Sequence, residues 1–197
     1  MTDNALRVKY ESLYMSLRNI VTESENRVLS ETPDELFIDN VNFFVKSYLI
    51  SICTYLESFL QDRAFKYANE VSLRMKRAEI PHNFVHWRLG SELKEKDLKF
   101  LDMDLSTTKK EISDNLSANP YRTIKLFKNL GIDLTSEDEF ESNKGLVNSI
   151  VTKRNNIVHH NDKAMDISFS DLQTYIDIFI KYMNAVDMAV NKKDLRQ

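Results

Sequence analysis

Three glycines and three prolines in 197 residues leave this chain few places to turn sharply. A chain so poor in breakers is built of long helices, because tight turns and strand ends draw on those two residue types. The spacing of apolar residues agrees. Leu6, Tyr10, Leu13, Leu17 and Ile20 recur at intervals of three and four, as do Val45, Leu49, Ile52, Leu56, Phe59 and Leu60. Leu172, Tyr175, Ile176, Phe179, Met183, Val186 and Val190 do the same near the C-terminus. Each set lines one face of a helix. The expected class is all-α, in one domain with a helical extension: an N-terminal helix in 1–32, a helical domain in 33–191 and a solvated tail in 192–197.

The second set lies in a stretch apolar almost all round, which places that helix at the centre of a bundle or in a subunit interface. It is expected to run unbroken from about Pro33, with Thr32 as its cap, to about Ala78. Residues 91–103 are expected to hold a short helix within an insertion spanning about 80–118. Asn119, Pro120 and Gly131 mark the start and end of a helix between them. A further helix is expected over about 139–158.

Charge limits the functional classes. The net charge is −3, so any nucleic-acid contact must come from a local basic patch. The single cysteine, Cys53, excludes an intrachain disulfide and reads as a buried, inert thiol. No stretch of about 18 uncharged apolar residues is present, so no membrane span is expected, and the cytoplasm is the expected compartment.

The sharpest feature is a charge inside an apolar stripe. Val147, Ile150, Val151, Arg154, Ile157 and Val158 share one helical face. Arg154 admits a structural reading, with its stem along apolar surface and its head paired to a carboxylate, Glu57 being the candidate. It also admits a functional one. His159 follows five residues later, about 140° round a continuous helix from Arg154. The two converge if the helix ends near Val158 and the chain turns back, or if two chains meet across a two-fold axis.

The segment "RNNIVHH" resembles the Arg-polar-x-x-x-His signature of HEPN domains, with Arg154, Asn155 and His159 at the matching positions. The resemblance continues in order along the chain. "SYLISICTYLESFL" is similar to the early helix of these domains. "NPYRTIKLFKNLGI" resembles the Asn-Pro helix and glycine of the RiboL-PSP-HEPN branch, and "LVNSIVTKRNNIVHHND" is followed by a closing amphipathic helix. It covers roughly residues 36–190. The resemblance implies a HEPN-like bundle of four to five main helices, with the N-terminal helix and the insertion added to it. It implies a homodimer with a composite cleft, and cleavage of RNA without metal or cofactor by attack of the ribose 2′-OH. In that setting His159 moves protons, Arg154 stabilises the phosphate and Asn155 orients either group. A role as toxin or anti-phage effector follows from the family, with an antitoxin or defence-system protein as partner. Some HEPN toxins carry a modifiable Tyr two residues after the His, where this chain has Asn161.

Other residues are weaker candidates. Lys153, His160, Arg122 and Lys125 are placed as RNA contacts, the last two on a basic strip with Lys128. His82 and His86 stand four apart, a spacing that suits zinc only with two further ligands, so surface or packing roles are expected. Trp87 beside them reads as packing rather than base stacking. The stripes around Ile52 and Ile150 look too apolar for a monomer surface and predict an isologous dimer.

Overall fold

The computed structural model describes residues 3–91, 93–160 and 164–194. Eight α-helices and two short 3-10 turns, with no strand, make up these described residues. Four long helices form the bundle: α1 (Asp3–Leu29), α3 (Val41–Arg77), α7 (Asp138–His160) and α8 (Phe169–Asp194). The last of these packs against the other three, and α3 packs against α1, α7 and α8. The all-α bundle expected from the periodicity is therefore the observed fold.

The expected stripes are what hold it together. Val45, Leu49, Ile52, Leu56, Phe59 and Leu60 on α3 are 0–1% exposed. Burial at about 25 cal/mol per Å² makes such a column the main stabilising contribution of the bundle. On α1 the stripe shifts by one residue at its end: Tyr14 and Val21 enter the core, while Ile20 faces outward. By length and composition alone, α3 is apolar enough to cross a membrane, although Lys46 and Glu57 interrupt its apolar run. Its central place in the bundle accounts for that composition, since three long helices cover it.

The stripes expected to drive dimerisation are consumed within one chain. Ile52 is 0% exposed and Ile150 4%. The stripe on α7 faces α3 and α8 of the same molecule, not a partner. Any dimer must use other surfaces.

Several boundaries differ from expectation for visible reasons. The long helix does not start at Pro33. A one-turn helix α2 (Glu35–Asp39) is capped by Asp34, whose side chain accepts from the Leu36 amide at 3.0 Å. Asn40 then breaks the run, and its side-chain amide donates to the Leu36 carbonyl at 2.9 Å, satisfying an acceptor that the break releases. The expected helix over 91–103 is only a 3-10 turn, Glu95–Asp97, while α4 (His82–Arg88) lies before it. Further on, α5 (Lys109–Asn115) opens on a capping box: Thr108 and Glu111 exchange side-chain to backbone hydrogen bonds. The helix α6 (Pro120–Asn129) starts at Asn119 and closes at Gly131, φ +75°, as expected. No tail begins at residue 192. The last helix continues through Asp194, and Lys192 Nζ reaches both carboxylate oxygens of buried Glu137 at 2.7 Å. That pair ties the end of α8 to the start of α7.

Candidate active site on the seventh helix

The site is built where α7 crosses α3. Val147, Ile150, Val151 and Ile157 are at most 5% exposed and fix the rotation of α7 on the bundle. That rotation points Arg154 at α3. Its guanidinium donates to Glu57 Oε2 at 2.9 Å, so the partner named from the sequence is the one observed. Val158, one turn further along the same face, is 51% exposed. Arg154 thus stands where the apolar stripe runs out into solvent, which is where a long side chain with a charged head fits.

The pair is only partly shielded, with 18% of the Arg154 side chain and 30% of Glu57 exposed. Cys53 lies beneath it. Burial pushes that thiol up to about 12, outweighing the charge and hydrogen bond of the Arg154 guanidinium beside it, which pull the other way. Cys53 is therefore an inert thiol, as expected. The Arg154 Nε is buried and makes no hydrogen bond among the described residues.

His159 does not turn back towards Arg154. The helix continues through His160, so the early end expected near Val158 is absent. On that continuous helix the two side chains diverge by about 140°. Both histidines are exposed, with ring centroids 6.5 Å apart. Asn155 is half-buried on the flank between Arg154 and His159. Asn161, the position of the family's modifiable tyrosine, lies outside the described residues.

The other candidates scatter. Lys153 is engaged by Asp166 at 2.7 and 2.8 Å, and that hydrogen bond holds the Asp166 carboxyl below its usual range. Arg122 and Lys125 are exposed and line a small pocket with Asn115, Leu126 and Asn129; no residue of α7 lines it. Nevertheless α6 is tied to α7: Asn119 caps α6 through its oxygen and donates its amide to Asn148 Oδ1 at 3.0 Å. The His82 and His86 rings lie 4.4 Å apart, tilted by 43°, and no group of three or more potential metal ligands occurs among the described residues. Trp87 is not packed as expected but 68% exposed.

Two contacts beside this site have no signal in the sequence. Asn42 at the start of α3 accepts from the Ala164 amide at 3.0 Å, tying the segment after α7 to α3. Asp166 neutralises Lys153. Neither belongs to a periodic pattern, so no spacing signals them.

No curated protein and no solved structure matches this chain. The family model described as RiboL-PSP-HEPN matches residues 17–192, a span that holds α3, the Asn-Pro helix α6, the Arg154 helix and almost all of α8, and the chain belongs to that family.

Proposed function

We propose that the protein is a metal-independent endoribonuclease whose active site forms between two copies of the chain. The observation that carries the reading is the state of Arg154. It is oriented by Glu57 and keeps part of its side chain open to solvent. A phosphate oxygen is an acceptor of the right charge for such a guanidinium. Because Arg154 and His159 diverge on one helix, a two-fold dimer is the arrangement that brings Arg154 of one protomer to His159 of its partner.

In this reading the ribose 2′-OH loses its proton and attacks the adjacent phosphorus, and the P–O5′ bond breaks. The leaving 5′-oxygen takes up a proton. The products are a 2′,3′-cyclic phosphate and a 5′-OH end. His159 serves proton transfer, worth about 10²–10⁴ in rate. Arg154 stabilises the growing phosphate charge, worth about 10²–10³. Asn155 positions the phosphate or the imidazole. A cellular role as toxin or anti-phage effector, held in check by a partner protein in the cytoplasm, fits this chemistry.

The test is the chemistry of the ends. RNA should be cut in excess chelator, leave cyclic-phosphate ends, and resist cutting where a single 2′-deoxy nucleotide replaces the attacking ribose. Cleavage that needs added zinc, or that proceeds through the deoxy position, contradicts the proposal. The Arg154–Glu57 pair favours one second reading, a HEPN module that binds RNA or a partner protein without cutting. In that case the arginine is purely structural.

A further inference from the structure

Between Asn69 and Glu111 the only buried residue among those described is His82. This stretch leaves the core as the end of α3 and returns as the start of α5. Its head closes on itself. The His82 amide donates to the Leu101 carbonyl at 3.0 Å, the Met103 amide to the Ile80 carbonyl at 2.8 Å, and the Lys99 amide to Asn83 Oδ1 at 2.9 Å. These bonds make a closed loop that packs little of its own apolar surface. Phe84 is 51% exposed, Trp87 68% and Phe100 93%. Aromatic surface left open in this way marks a binding face.

The charge around it identifies the occupant. Residues 74–103 hold seven of the 27 cations and five of the 30 carboxylates, so this arm is basic while the rest of the chain is acidic. Arg88 lies 5.7 Å from the Trp87 ring centroid, and the groove beside the indole is walled by Asn83, His86, Leu93 and Leu98. Open aromatic faces interleaved with Lys and Arg suit single-stranded nucleic acid: bases stack on the rings, and phosphates meet the cations. A purely apolar partner would gain nothing from Lys94, Lys96 and Lys99.

We infer that the 74–103 arm is a single-stranded RNA-binding platform, with Trp87 and Phe84 as stacking surfaces, that recruits substrate away from the reacting phosphate. The inference rests on RNA being the substrate of the α7 site, but it is read out by binding rather than by cleavage.

Trp87 is the single tryptophan of the chain, so its fluorescence reports this site alone. The experiment titrates the His159→Ala protein, in which RNA should survive, with oligouridylate and with a duplex RNA of equal length. The single strand should quench Trp87 emission saturably, the quench should weaken as salt rises, and the duplex should quench far less. By anisotropy of labelled oligouridylate, Trp87→Ala and Phe84→Ala should each weaken binding roughly 5- to 100-fold, the range for removing one base-stacking ring. Both side chains are exposed, so truncation leaves the core intact. Absence of quenching by any single strand, or affinities of both variants within about twofold of the parent, overturns the inference and leaves this face to a protein partner. Cleavage unaffected by His159→Ala would instead overturn the assignment of the active site to α7, whatever the arm binds.

Discussion

Two arginines of this protein sit on apolar helical stripes, and their surroundings differ in a way that separates architecture from chemistry. Arg63 follows Phe59 and Leu60 on α3 and is 0% exposed. Its Nε donates to Asp187 Oδ1 at 2.8 Å, one terminal nitrogen donates to Asn191 Oδ1 at 2.6 Å, and Asn191 donates back to Asp187 Oδ2 at 3.2 Å. The charge is enclosed, and α8 supplies its partners. Arg154 has a single carboxylate partner, Glu57, and 18% of its side chain is open to solvent, against 1% for Arg63. An enclosed ion pair holds two helices together; one that reaches solvent has room for a ligand.

The first way to break this contrast is to remove Arg63. Arg63→Ala leaves Asp187, 5% exposed, as a buried carboxylate without its cation. The expected cost is about 3–5 kcal/mol, visible as a large drop in melting temperature. A loss below about 1 kcal/mol would mean that the network is not structural, and the contrast would lose its meaning.

A smaller effect is expected at Asp62, which joins three helices. It accepts from Tyr10 at 2.8 Å and from Lys109 at 2.7 Å. Burial pushes its carboxyl up, but the hydrogen bonds from Lys109 and Tyr10 outweigh it, and the result lies below the usual carboxylate value. A depressed carboxyl contributes stability above its unfolded value near 4 and loses it as pH falls through the folded value. Wild type should therefore lose more stability below about pH 4 than Asp62→Asn does. The group is partly exposed, so the difference should stay near or below about 1 kcal/mol in denaturant titrations. Parallel acid curves would remove Asp62 from the account.

Smaller still is Lys153→Ala. The Lys153–Asp166 pair is open to solvent, with 30% and 68% of the side chains exposed. Its loss should cost no more than about 0.5 kcal/mol. If RNA affinity also stays unchanged, Lys153 is not an RNA contact and the placement made from sequence fails.

The sequence carried the bundle because its signal is periodic burial. The stripes of α3 and α8 could be named residue by residue, since every core position falls at the same spacing. Arg154 and its partner Glu57 were legible for the same reason: one charge interrupts a stripe. Arg63 interrupts the α3 stripe in the same way, but the polar residues around it resemble the end of the apolar run, so spacing alone does not mark it as part of the core. The capping box at Thr108 and Glu111 was readable in "TKKE" but lies outside any stripe. The arm was legible as an insertion but not as a surface. Its apolar residues are not periodic because they face no core, and composition alone does not separate an exposed tryptophan from a packed one. The end of α7 lies two residues beyond the expected Val158, because Asn and His residues resemble a terminus although the helix continues through exposed His159 and His160.

The central claim is that Arg154 and His159 serve chemistry, whereas Arg63 serves the fold. Melting temperature and RNA cleavage rate, measured side by side on His159→Ala and Arg154→Ala, test it most directly. His159 is exposed, so its removal should leave melting unchanged within about 0.5 kcal/mol and lower cleavage at least about 10²-fold. Arg154→Ala should cost about 1–2 kcal/mol, because Glu57 can be rehydrated, and lower cleavage at least about 10²-fold. If the His159→Ala protein cuts RNA at the wild-type rate, or if Arg154→Ala behaves like Arg63→Ala by losing fold and activity together, the claim is contradicted.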